Sequence, residues 1–192
     1  MYKKFGLFIL IAAALAGCQT TSEADRKKGL ELSIGECPVN LSPDVMSKLG
    51  DSGCERRMTN SRTGYYYSSH WEWDSSNKSA ELYYQPIKSY QYWTTDPTAS
   101  KEDIHLWGFL NTVNLDKISE VQCSGFSCYS FTSPLGAGTC FWFARDAKQG
   151  TKTYDVPGAS DLLEGYTCDR VKRELYSAAD AKEFLGGLVF NR

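Results

Sequence analysis

The chain has 192 residues, a formal charge of -2 from 21 Lys plus Arg against 23 Asp plus Glu, and an apolar share of 42%. That length suits one compact domain, and the apolar share suffices for a buried core, which excludes wholesale disorder. Near-neutral charge excludes the cationic footprint of a general nucleic-acid binder.

The continuous apolar run Phe5 to Gly17 covers 13 residues, short of the roughly 20 that cross a hydrocarbon core. With Lys3 and Lys4 before it, the run has the layout of an export signal rather than of a structural element. Leu15-Ala16-Gly17-Cys18 follows: an apolar residue, two small ones, then cysteine. These four positions, with the upstream charge and apolar run, resemble the lipobox of bacterial lipoproteins. The resemblance covers this segment alone. It implies a diacylglycerol on the Cys18 thiol, cleavage before Cys18 and acylation of the new amine, so that the chain meets the membrane through its N-terminal lipid. An ordinary signal peptide cut after the small residues Ala12-Ala13-Ala14 is the alternative. Gln19 stands where the enteric sorting rule for such proteins reads Asp as retention at the inner membrane, which implies the outer membrane here. Removing residues 1–17 takes away Lys3 and Lys4 and leaves 19 basic against 23 acidic residues. The remaining chain has no electrostatic attraction of its own to anionic lipid.

Residues 18–29 read as the lipidated cysteine and a polar, flexible tether, and residues 30–192 as one globular domain. Ser42-Pro43-Asp44 predicts a helix start, with Ser as N-cap and Pro at the first helical position, and Gly50 is the expected stop. Glu55 to Thr63, with Arg56, Arg57 and Arg62 and no apolar period, predicts a loop. Alternation over His70 to Asp74 and Glu81 to Gln85 predicts two strands joined by a turn at Ser75 to Lys78. Ile104 to Leu115 is read as strand. Val121 to Thr132 and Thr139 to Arg145 predict a hairpin turning through Ser133 to Gly138, with Phe141 and Phe143 on one face opposite Cys140 and Trp142. Ser160 to Leu163 is read as a short turn before a strand at Tyr166. Ser177 to Asp180 forms a capping box opening a final helix, with Ala181, Phe184, Leu185 and Leu188 on one side and Gly186-Gly187 weakening its end. The expected fold is α+β: an antiparallel sheet with a C-terminal helix, stapled by disulfides.

Those disulfides come from Cys37, Cys54, Cys123, Cys128, Cys140 and Cys168. Six cysteines beyond an inner membrane point to three bridges, with 15 possible connectivities. A zinc site is the rival, disfavoured because no C-x-x-C occurs and neither histidine is near a cysteine in the chain. Chain position favours the local pairs Cys37–Cys54, Cys123–Cys128 and Cys140–Cys168.

Catalytic signatures are sparse. G-x-S-x-G, H-E-x-x-H, Walker and Rossmann patterns do not occur. Ser75-Ser76-Asn77-Lys78 fits S-x-x-K, yet the S-x-N and K-T-G partners of that chemistry are missing, so it reads as a turn. His70, Glu72 and Asp74 would share one face of a strand, where a histidine and two carboxylates could bind a divalent metal or move protons. A water-facing edge opposite Trp71 and Trp73 explains the same pattern without chemistry. Eleven aromatics crowd residues 65–107. They serve either a small sheet that needs large side chains or a surface on which sugar rings stack. No cofactor is implied. The expected role is a non-enzymatic module that binds an envelope protein or glycan at the membrane surface, with no nucleic-acid partner. A carbohydrate-active or metal-dependent hydrolase acting on envelope glycans is the alternative, and a purely structural lipoprotein is a third possibility.

Overall fold

The computed structural model describes residues 29–58, 65–74, 77–86, 101–145 and 161–191. The expectations for Cys18, the tether, the Ser75-Ser76 turn residues and the aromatics Tyr90, Tyr92 and Trp93 therefore lie outside the described residues.

Among the described residues ten strands and two α-helices follow in chain order: β1 (Leu30–Leu32), β2 (Val39–Leu41), α1 (Pro43–Met46), β3 (Leu49–Met58), β4 (Tyr65–Trp73), β5 (Lys78–Pro86), β6 (Ser119–Glu120), β7 (Phe126–Thr132), β8 (Thr139–Arg145), β9 (Asp161–Asp169), α2 (Ala178–Gly186) and β10 (Leu188–Phe190). Eight strands form one antiparallel sheet in the order β1-β3-β4-β5-β9-β8-β7-β6, and β2 pairs with β10 in a small second sheet. The fold is mostly β with a C-terminal helix. Among the described residues no helix is long and apolar enough to cross a membrane.

Strand β8 lies between β9 and β7 and is buried on both faces from Thr139 to Ala144. Its alternating side chains feed two separate cores. Phe141 and Phe143 point to one side, where Trp71, Leu82, Leu163 and the helix residues Ala181 and Phe184 complete the packing. Phe184 meets Phe141 edge-on at 6.4 Å and Phe143 at 5.7 Å between ring centroids. Cys140, Trp142 and Ala144 point to the other side, against Ile104, Leu110, Val113, Phe131 and Tyr166. The helix explains the first layer. The second is made by residues 101–118, which wind through three short 3-10 turns and lay Ile104, Leu110 and Val113 on the sheet. The strand expected over Ile104 to Leu115 is therefore corrected. Leu110 and Val113, three residues apart, are both buried against the sheet, a step that alternation does not produce and 3-10 turns do.

Helix α2 opens as its sequence predicts. Ser177 Oγ accepts from the Asp180 backbone N–H at 3.3 Å, and Asp180 Oδ2 accepts from the Ser177 N–H at 2.7 Å. The Ser177 hydroxyl also donates to Asp180 Oδ2 at 2.7 Å, and this bond, then the Ser177 backbone one, holds the Asp180 carboxyl below its ordinary range. The helix ends at Gly187, and Leu188 enters β10 with its side chain still buried. Helix α1 starts at Ser42-Pro43, but it ends at Met46, and Gly50 lies in β3.

Two further expectations change. Glu55 to Met58 is strand rather than loop, because its backbone continues the ladder on β4 while Arg57 and Glu55, two residues apart on one face, form an ion pair. Asp161 to Leu163 is also strand, since β9 pairs with β5 from Asp161 onward. Of the stretch Val121 to Thr132, only Phe126–Thr132 is strand. Gly125, at φ 73°, turns the chain before it, with Cys123 and Cys128 flanking the turn. The hairpin from β7 to β8 forms as predicted, closed by Ser133 N–H to Gly138 O at 3.1 Å.

All six described cysteines stand in pairs at disulfide distance. Cys37 and Cys54 have Cα atoms 6.3 Å apart, Cys123 and Cys128 6.2 Å, and Cys140 and Cys168 4.1 Å. These are the pairs favoured by chain position. The first ties β3 to the segment before β2, the second closes the Gly125 turn, and the third joins directly opposed residues of β8 and β9.

Candidate functional site

Along β3, β4 and β5, and at Glu164 on β9, the face opposite α2 is polar, unlike the apolar face beneath the helix. One register row brings Gly53, His70, Glu81 and Tyr166 side by side across the four strands; the next brings Asp51, Glu72, Ser79 and Cys168. Residues 101–118 cover the β8 half of this face and leave the β4–β5 half open. Where the cover ends, a cleft of about 270 Å³ opens, walled by His70, Glu72, Glu81, Phe109, Leu135 and Arg170 with Tyr166 at its base. Phe109 stacks on Tyr166 with ring centroids 5.8 Å apart and planes 20° from parallel, and Trp107 meets Tyr166 edge-on at 5.2 Å. Leu135 reaches the rim from the β7–β8 turn.

His70 owes its position to the residue opposite. A Cβ on Gly53 would collide with the imidazole, so the missing side chain lets the ring lie across β3. There Nε2 comes within 3.8 Å of Asp51 Oδ2, with both side chains at least half exposed. Glu72 is exposed on the same face, opposite Asp51 and Ser79. Asp74 lies past the end of β4. Its N–H donates to Lys48 O at 3.1 Å, and its carboxylate stands over Gly50. The structure thus brings His70 and Glu72 to one cleft wall, and Asp74 is not part of that lining. Among the described residues no three His, Cys, Asp or Glu side chains stand where they could share a metal ion. Trp71 is fully buried beneath this strand, and Trp73 is half-buried.

Glu81, Glu164, Tyr166, Phe109 and Arg170 were not singled out from the sequence. Burial, then the Glu81 charge and a hydrogen bond to its carboxylate, hold the Tyr166 phenol protonated far above its usual range. Glu164, two residues before Tyr166 on the same face, is pushed up to about 7 by burial and then by the negative charge of Asp103 on the covering segment. The aromatics split between the faces. Tyr66 stacks on Tyr83 at 4.9 Å on the polar face, and Tyr67 lies 6.4 Å from Tyr84 on the other. They form half-buried pairs rather than a flat exposed row.

A second, smaller cleft lies on the helix side, where the Lys78 ammonium sits 4.7 Å from the Trp73 ring centroid and 5.7 Å from that of Phe184. Burial there pushes the Lys78 amine below its ordinary value.

Compared with protein-family models, curated proteins and solved structures, the chain finds no match.

The cleft offers hydrogen-bond acceptors, a guanidinium, an imidazole and an aromatic platform in one small space. It suits binding and orienting a small polar group. Ser79, opposite Glu72, and Ser133 also line it.

Proposed function

We propose that the chain is a lipid-anchored protein of a bacterial cell envelope, carried on the outer membrane, whose disulfide-stapled domain binds an envelope partner without catalysing a reaction. The observation that carries the reading is Leu15-Ala16-Gly17-Cys18 placed directly after a basic and apolar head. The cysteine pairing supports it. Six of the seven cysteines stand in pairs, and the remaining one is Cys18. Such pairs persist in oxidising compartments, where an exported domain resides. Three acyl chains hold far more firmly than the single chain that binds reversibly, at about 0.8 kcal/mol per buried methylene. The cleft supports the binding half of the reading, since it joins exposed aromatic and polar groups in one small space.

The test is to express the full chain with its own leader in a Gram-negative host and follow palmitate incorporation and intact mass. The expected product starts at Cys18, carries a diacylglycerol and an amide-linked acyl chain, and loses both in Cys18→Ser. An unmodified N-terminus, or cleavage near Ala14, refutes the anchor. Incubation of the purified lipoprotein with cell-wall sacculi should release no fragments. Release that disappears in His70→Ala or Glu72→Ala overturns the non-enzymatic half.

A further inference from the structure

The cleft beside Phe109 has the composition of a site for a neutral polyhydroxy ligand. Its two carboxylates, on Glu72 and Glu81, face a guanidinium on Arg170 within the same walls. An anionic ligand would meet two carboxylates, and a cationic one would gain from at most one net charge, since Arg170 offsets one of the two. A ligand rich in hydroxyls uses both, since carboxylates accept from O–H groups and the guanidinium donates to hydroxyl oxygens.

The apolar parts fit the same class. Phe109 is 37% exposed although it stacks on Tyr166, so ring surface remains for a second flat apolar face. The C–H face of a pyranose is such a surface, and an aromatic ring is its usual platform. Leu135, 66% exposed on the facing rim, confines the ligand from the other side. Tyr166 cannot swing away to fill the space, because it is fixed beneath by Trp107 and by its bond to Glu81. The platform is therefore in place before any ligand arrives, and preorganisation of this kind lowers the cost of binding. The volume of about 270 Å³ accommodates one or two sugar rings and no folded domain.

The cleft runs from the His70–Glu81–Tyr166 row toward the Lys78 end of the sheet. Strand β1 enters the sheet with Leu30 opposite Arg56, at the level of Tyr67 and Tyr84. Leu135 and Arg170 lie at the other end, beside Lys78 and Asp169. Six residues of β5 separate those levels, about 20 Å at the rise of an extended strand.

We propose that this cleft binds an uncharged saccharide through its pyranose rings, with Phe109 as the stacking platform and Glu72, Glu81 and Arg170 as hydroxyl partners. The inference rests on the binding role given above and names the ligand class of that same site. It does not depend on acylation of Cys18.

The test uses the full lipidated chain in detergent micelles, with chitotriose and cellotriose as the saccharide probes and spermidine as the cationic one. Saturation-transfer NMR and calorimetry report contact and affinity. At least one trisaccharide should receive saturation on its ring protons. Its affinity should fall about fivefold in Phe109→Ala and return in Phe109→Trp. Arg170→Gln should weaken the same probe, and thermal melts should show each variant folded. The proposal is overturned if neither saccharide receives saturation, if Phe109→Ala binds as tightly as the parent, or if spermidine binds in a Phe109-dependent way while the sugars do not. Cys18 acylation, read separately by mass, shows whether such a failure touches the ligand class alone or the anchored binding protein as well.

Discussion

Glu164→Gln removes a carboxyl that the fold holds at a cost. Glu164 lies opposite Tyr83 on β5 and Ala144 on β8, under the segment that carries Asp103. Burial and the Asp103 charge raise its pKa from an ordinary 4.5 to about 7. Between those values the folded chain keeps a proton that the unfolded chain releases, so stability falls as pH rises through the window. Below pH 4.5 both states are protonated and the group contributes nothing. Above about 7 the whole penalty is present, roughly 3 kcal/mol at 1.36 kcal/mol per pH unit, and relaxation around the site makes this an upper bound. An amide of the same shape does not titrate. The variant should therefore match the parent at pH 4 and exceed it by about 2–3 kcal/mol at pH 8, a rise in Tm of roughly 4–10 °C for a chain of this size. Urea or thermal unfolding at pH 4, 6 and 8 under non-reducing conditions measures it. A stability difference that is flat with pH, or a variant less stable than the parent at pH 8, refutes the reasoning.

Three further outcomes follow from the same packing. Removing each cysteine pair as a double Ala variant should destabilise in order of the loop closed. With separations of 28, 17 and 5 residues, chain entropy gives about 3.6, 3.1 and 2.1 kcal/mol for Cys140–Cys168, Cys37–Cys54 and Cys123–Cys128, to be read from urea midpoints of the three variants. Gly165→Ala should cost at least about 2 kcal/mol, because its Cβ would overlap Glu81 backbone oxygen and the Phe143 ring. Gly53→Ala meets only the His70 ring, which is half exposed and can turn away, so it should cost under about 1 kcal/mol in the same melts. Phe184→Ala empties the contact of α2 with Phe141 and Phe143. Its cost should be about 3–5 kcal/mol by chemical denaturation, and a loss under about 1 kcal/mol would contradict the packing of α2 on β8.

The parts of the site that the sequence revealed are those governed by near neighbours. His70 and Glu72 share a face because side chains alternate along a strand, and that pattern is visible in five residues. Asp74 was grouped with them by the same alternation and is not part of the cleft lining, because the strand ends one residue earlier at Trp73. Glu81, Tyr166 and Arg170 carried no signal. They join His70 only through pairing across β5 and β9, contacts between residues as much as 100 positions apart. Phe109 was hidden for a different reason. Its segment folds as successive 3-10 turns, whose burial pattern depends on the surface they cover rather than on a period of their own.

The sequence alone determined the six cysteines beyond Cys18, the β7–β8 hairpin and the capped final helix, since each is written in adjacent residues or in a count. It also determined that β8 would carry apolar side chains on both sides, because Cys140 to Ala144 has no polar residue to turn toward water. Only the tertiary structure decided which half of the second sheet face would be covered and which left open. That boundary depends on where Ile104, Leu110 and Val113 find apolar surface on β8 and β9. They settle there because covering Trp142 and Tyr166 removes apolar area from water, whereas covering Glu72 and Glu81 would strip carboxylates of theirs. The cleft lies at the line where those two costs meet.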